Sequence, residues 1–272
     1  MNTTIISADR RERWIQFLKD LWDYRELFQT FMLRDLLVRY KQTVLGVLWV
    51  ILQPLFMSGA FAMIFGGIVG MPTDGLPYTL FYLAALVPWT TFSTALSSSA
   101  LSMEANAHLI SKIYFPRLVV PGAVICTSLV DFSIGWVLLN VFAGCQGHWH
   151  WMLVAMTPLL LVIQVLTVLG AGLTLAALNA QYRDVKHIMV FLSQIWMLAT
   201  PVIYPASRVP VWARDWLFLN PMAGVVTAYR AALQNTPVDW LLLGQSLAVA
   251  LLGAVFGVWF FRRRETYLVD IL

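Results

Sequence analysis

The sequence predicts an all-α membrane protein of six transmembrane helices with both termini in the cytoplasm, and three observations carry that reading. Of its 272 residues 60% are hydrophobic and 12% charged, where soluble domains hold about 25% charged residues. The apolar residues fall in blocks free of charge, each long enough for a span of about 20 residues. The basic residues gather on one side of those blocks, and that asymmetry sets orientation.

Ahead of the first block, Trp14, Phe17, Leu18, Leu21 and Trp22 recur at helical spacing, with Arg11, Arg13, Lys19, Asp20 and Asp23 elsewhere on the wheel. The pattern is that of an amphipathic helix lying in the interface. It serves either as a plain anchor or as a moving part at the cytoplasmic entrance. Arg10, Arg11, Arg13 and Lys19 interrupt the apolar residues there, so no cleavable signal peptide is expected.

No charge stands between Lys41 and Asp74 or between Asp74 and Glu104, and these intervals hold spans 43–67 and 78–102. From Leu118 to Tyr182 the single charge is Asp131, and the Gly144 to His150 patch divides the stretch into spans 118–143 and 151–178. Spans 187–204 and 240–261 follow, the last stopped by Arg262, Arg263 and Arg264. Residues 1–33 thus form a cytoplasmic segment, 34–264 the membrane domain and 265–272 a cytoplasmic tail. Fifteen of the 18 basic residues fall on the cytoplasmic side of this arrangement; Arg208, Arg214 and Arg230 fall outside. The net charge of +4 is therefore accounted for by topology, and no nucleic-acid partner is expected.

Between spans five and six, Pro205 to Asp239 is too polar and too broken by Pro210, Pro221 and Pro237 to cross, yet carries Trp212, Trp216, Leu217, Phe218 and Tyr229. Short helices dipping into the outer leaflet fit that mixture, with an ordinary external loop as the alternative.

Reactive chemistry is sparse. There is no G-x-x-x-x-G-K-[ST] phosphate loop, no H-E-x-x-H and no G-x-S-x-G. His148 and His150 could hold a metal only with ligands from elsewhere, whereas Trp149 and Trp151 suit a headgroup belt. Asp131 is an intramembrane acid, either functional or buried and hydrogen-bonded, and the sequence names no partner for it. Cys126 and Cys145 sit too far apart along one helix for a disulfide. Gly253 and Gly257 form a G-x-x-x-G that favours close helix packing. The segment Asn106 to Arg117 is a short helical run closed by Pro116, placing Leu109, Ile110, Ile113, Tyr114 and Phe115 outside the bilayer. Such residues call either for a partner protein or for the membrane surface.

Several of these segments have a recognisable wording. The run Arg34-Asp35-Leu36-Leu37-Val38-Arg39-Tyr40-Lys41-Gln42-Thr43-Val44-Leu45-Gly46-Val47-Leu48-Trp49, followed by Gln53-Pro54-Leu55, resembles the opening of the permease subunits of type-2 ABC exporters of polysaccharides. Ile110 to Arg117 with Val120-Pro121, Gln181-Tyr182-Arg183-Asp184-Val185, Thr200-Pro201-Val202-Ile203-Tyr204-Pro205 and Leu219-Asn220-Pro221-Met222 are similar to the same family in the same order. The wording is nearer to O-antigen exporters than to capsule exporters, with teichoic acid exporters also similar.

The resemblance implies a homodimeric permease in the cytoplasmic membrane of a bacterium. It implies two copies of a separate nucleotide-binding ATPase subunit, which carry ATP and Mg while this chain binds no cofactor. The cargo it implies is a lipid-linked polysaccharide. Thr43 to Gly70 and His187 to Ser207 would line the path, and Pro205 to Asp239 would be the outer re-entrant helices. His108, Leu109, Ile110, Lys112, Ile113, Tyr114, Phe115 and Pro116 would couple to the ATPase, and Trp14, Trp22, Arg34, Arg39 and Tyr40 are candidates for a cytoplasmic gate. A sugar polymer needs aromatic faces that stack on pyranose rings, which selects Trp49, Phe56, Trp89, Trp196 and Tyr204 as path candidates. Competing readings are a capsule, teichoic acid, drug or small-lipid exporter of the same superfamily, and an intramembrane enzyme acting on polyprenyl-linked sugars, which needs paired carboxylates or a metal.

Overall fold

The computed structural model describes residues 19, 22–41, 46–113, 115–182 and 184–265, and among these it is helical with no strand. Helix α1 is Arg25–Lys41. Helix α2 is Leu48–Phe61, continued by a π-helical stretch, Ala62–Ile68. Then come α3 (Tyr78–Ala105), the short α4 (Ala107–Ile110), α5 (Val119–Cys145) and α6 (Trp151–Asn179). Helix α7 is Val185–Ala199, α8 Val211–Phe218, α9 Pro221–Gln234 and α10 Trp240–Arg264.

Five of these, Leu48–Ile68, α3, α5, α6 and α10, are long and apolar enough to cross a membrane. They stand close to the expected spans, as charge-free intervals bounded by turn residues require. Helix α3 is the central post: every residue from Leu80 to Trp89 is buried, packed by α2, α5, α6 and α9. Helices α6 and α10 meet through glycine: a Cβ on Gly170 would lie 2.7 Å from the Gly253 carbonyl oxygen, and one on Gly257 2.8 Å from the Gly170 Cα. The missing side chains let the two backbones touch.

Side-chain contacts sort the loops into two ends. At one end Asn179 donates to Glu104, Arg117 bonds Glu265, and Arg264 bonds Gln181. At the other, Ser207 and Gln234 both donate to Asp74. Helix α7 runs from the first end to the second.

Three expectations change, and one alternative is decided. The fifth span, 187–204, forms only the 15-residue α7, about 22 Å long against a hydrocarbon core of about 30 Å. It ends at Ala199 because Pro201 drives Thr200 to an extended conformation, φ −93° and ψ 140°. The boundary at residue 33 falls inside α1, which runs through it unbroken. Pro205–Asp239 holds short helices as expected: α9 opens on an Asn220 cap that accepts from the Met222 amide, with Pro221 at its first position, and buries Met222, Val225, Val226, Tyr229 and Leu233. The 106–117 run is not apolar and free-standing, because Ile110 and Phe115 are buried. Of the interfacial helix, Trp14, Phe17, Leu18 and Leu21 lie outside the described residues, as do Tyr114, Arg183, residues 42–45 at the start of the first span and 266–272 of the tail.

Candidate functional site

Three stripes converge on one cavity. On α3, Val87, Thr90, Thr91 and Thr94 follow the i, i+3, i+4, i+7 spacing that puts side chains on one helical face. On α2, Trp49, Val50, Gln53 and Pro54, at i, i+1, i+4 and i+5, line the cavity from just after Gly46, whose φ of +48° turns the chain into the helix. On α5, Asp131 and Gly135 lie one turn apart, and a Cβ at Gly135 would stand 3.1 Å from Val87. With Arg39 and Tyr40 from the end of α1, these residues line a cavity of about 580 Å³.

The polar corner of the cavity is organised by Asp131. Arg39 Nη1 donates to one carboxylate oxygen and Tyr40 Oη to the other. The acid that lacked a sequence partner thus ties the end of α1 to the third long apolar helix. Burial first, and then the hydrogen bond to Asp131, push the Tyr40 phenol well above its ordinary value. The hydroxyl therefore stays protonated and donating at physiological pH.

Around this neutralised pair stand the Trp49 indole, 56% exposed, the exposed Gln53 amide and the Thr90 and Thr94 hydroxyls. An aromatic face beside hydroxyl and amide groups can stack on and hydrogen-bond a polyhydroxylated ring. Among the described lining residues Asp131 is the single carboxylate, and both its oxygens accept bonds, so the paired acids that sugar-cleaving chemistry needs are not assembled here.

The other path candidates lie elsewhere. Trp89 is buried against Phe92, and Trp196 packs on Phe92 edge-on at 4.9 Å while its Nε1 donates to Asn220. Tyr204 donates to the Leu198 carbonyl, and Phe56 is 69% exposed on the outer face of α2. Gln53 was noted only within the Gln53-Pro54-Leu55 resemblance and the three threonines were not singled out, although the threonine stripe was legible as a polar face within an apolar block.

Several coupling and gate candidates meet along α1. Arg34 lies over Phe31 and donates to Asn106 at 2.8 Å, while Phe31 packs on Phe115 with ring centroids 5.8 Å apart. Phe31, Ile110, Phe115, Val119 and Phe261 belong to one buried cluster. Ile110 and Phe115 therefore pin the segment to its own chain. His108, Lys112 and Ile113 are exposed, with Lys112 Nζ 2.9 Å from His108 Nε2, while Leu109 and Pro116 are half-buried. Trp22 is exposed beside Arg25. One helix thus grips the 106–117 segment near its middle and Asp131 at its end.

Long apolar helices around a largely apolar cavity with one charged, hydrogen-bonded corner suit a membrane transport protein. The chain belongs to the ABC-2 type transporter family, which matches residues 26–233. The O-antigen export system permease protein RfbA of Myxococcus xanthus is 31% identical over 92% of this chain and 98% of its own length. A Klebsiella pneumoniae protein of the same description is 25% identical over 88% and 92%. The polysialic acid transport protein KpsM of Escherichia coli is 23% identical over 87% and 93%.

Proposed function

We propose that this chain is the permease subunit of an ATP-driven exporter that carries a lipid-linked polysaccharide, O-antigen in class, across the bacterial inner membrane. The observation that carries the reading is the cavity, whose lining brings Trp49, Gln53 and three threonines together with the Arg39–Asp131 pair. Sequence similarity to whole export permeases supports it, and the higher identity to RfbA than to KpsM favours O-antigen over capsule.

In this reading two copies of the chain and two ATPase subunits form the exporter, with ATP and Mg on the ATPases. Helices α2 and α7, both with large apolar residues exposed along them, meet their counterparts across the homodimer. The end holding Glu104, Gln181 and Arg264 faces the cytoplasm. Helix α7 completes a sixth crossing with the 200–204 turn, and α8 and α9 re-enter the outer leaflet. The exposed His108, Lys112 and Ile113 meet the ATPase, and α1 relays its stroke to Asp131.

The test is reconstitution with the ATPase subunit and measurement of ATP-dependent translocation of lipid-linked O-antigen. Trp49→Ala removes one stacking face, worth about 1 kcal/mol, so export should fall several-fold while inserted protein is unchanged. Export at the wild-type rate would remove the cavity from the path, and transport of capsule glycan in preference to O-antigen would reassign the cargo.

A further inference from the structure

Arg230 sits in α9 and is 5% exposed, although its position between broken segments reads in sequence as a loop charge. Its guanidinium reaches the turn that follows α7. Nη1 donates to the Pro201 carbonyl at 2.5 Å and to that of Tyr204 at 3.1 Å, and Nη2 donates to Val202 at 2.7 Å. Nε donates to Phe81 of α3 at 3.3 Å, and the guanidinium carbon lies 3.5 Å from the centre of the Phe81 ring. No carboxylate among the described residues is in ion-pair contact with it.

These carbonyls need a donor for a definite reason. Helix α7 stops at Ala199, so the carbonyls of 201, 202 and 204 have no following helical amides to receive. Val202 is fully buried, and buried backbone at membrane depth must be satisfied by protein. A guanidinium supplies five donors in a fixed plane, which a lysine ammonium does not. The cation and the carbonyl dipoles therefore satisfy each other, and the turn keeps its shape only while Arg230 is in place. Asn220 closes the same junction by donating to the Ala199 carbonyl at 3.2 Å and to Thr200 Oγ1 at 2.9 Å.

We infer that Arg230 is the positioning residue of the exporter's outer mouth, fixing the 201–204 turn at the end of α7 against α3 through its four carbonyl hydrogen bonds. The inference rests on reading α7 as a path helix whose end faces outward. It touches no cargo itself and acts through the turn.

The test places Val202→Cys in the full permease–ATPase complex, with Arg230 native, Arg230→Lys or Arg230→Met. Labelling by a membrane-impermeant maleimide added from outside, export of lipid-linked glycan and ATP turnover are then measured together. With Arg230 native the buried thiol should react slowly. Both variants should label at least tenfold faster and export several-fold less, while ATP turnover changes less than twofold. Unchanged labelling overturns the assignment, as does export falling in step with ATP turnover. Failure of both variants to accumulate as inserted protein also overturns it, since Arg230 then serves folding alone. If labelling accelerates but even the native complex moves no glycan, the mouth assignment stands and the polysaccharide reading fails.

Discussion

At the scale of single residues, Asp131 is where sequence and structure differ most in what they tell. The sequence isolates it as the one charge between Leu118 and Tyr182, but its meaning lies in Arg39 and Tyr40, some ninety positions away, and no local pattern foretells that pairing. Asp131→Asn leaves Tyr40 an acceptor but removes the charge facing Arg39. Breaking a fully buried pair costs about 3–5 kcal/mol; here the Arg39 side chain keeps 27% of its surface, so a loss of about 1–2 kcal/mol is expected. Export should drop several-fold, and combining Asp131→Asn with Arg39→Gln should cost less than the sum of the two. Fully additive effects in a thermal-shift and transport cycle would show that the pair is not a functional unit. The raised Tyr40 value has a defined sign: its contribution is complete below the ordinary phenol value of about 10 and is lost only as pH rises through the higher folded value. No alkaline break from Tyr40 is therefore expected in export between pH 6 and 9, to be checked in reconstituted vesicles.

At the scale of elements, the long helices were legible because a span is a property of local composition, and the same logic failed wherever tertiary contacts decide. Helix α1 was missed beyond residue 33 because its charges are spread around the wheel; it is held by Phe31, Arg34, Arg39 and Tyr40 meeting other helices. Helix α7 was drawn too long although the Thr200-Pro201 stop was visible, because an apolar run was given precedence over the proline. The G-x-x-x-G on α10 was read correctly as a packing surface, but its partner, Gly170 on α6, was not identifiable from sequence. Gly170→Val forces side-chain atoms onto the Gly253 carbonyl, and backbone cannot yield as a side chain can, so the helices must part. A loss of about 1–3 kcal/mol is expected, read as a lower unfolding temperature in detergent. Gly244→Ala on the same α10, with nothing within 4 Å of its added Cβ, is the matched control and should be neutral. The 106–117 element carries a prediction of another kind: Ile113→Asp puts a charge on its exposed apolar residue and should release the ATPase subunit in co-purification. Ile110→Asp should instead destabilise the permease itself. Equal effects of the two on folding would remove Ile113 from the contact.

At the scale of the whole molecule, the proposed six-crossing topology turns on parity. Five crossings would put the termini on opposite sides, and Arg262, Arg263 and Arg264 would then face outward, against the distribution of basic residues. The contacts argue for an even number: Arg264 at the end of α10 bonds Gln181 just after α6, so those helices finish at the same end, and Glu265 bonds Arg117 there as well. Helix α7 begins beside Gln181, and the Ser207 that follows it donates to Asp74 at the opposite end. Its 15 residues are short for a crossing, but the turn after Ala199 extends it with carbonyls already satisfied by protein, which is the condition for irregular backbone at membrane depth. Single cysteines at Gln146 and Thr236 should therefore react with an impermeant maleimide added to intact cells, whereas cysteines at Ser111, Lys186 and Arg264 should react only after the membrane is opened. Labelling at Arg264 from outside with Lys186 still protected would mean that α7 turns back without crossing. The count would then be five, and the proposed re-entrant unit would have to include α7 as well as α8 and α9.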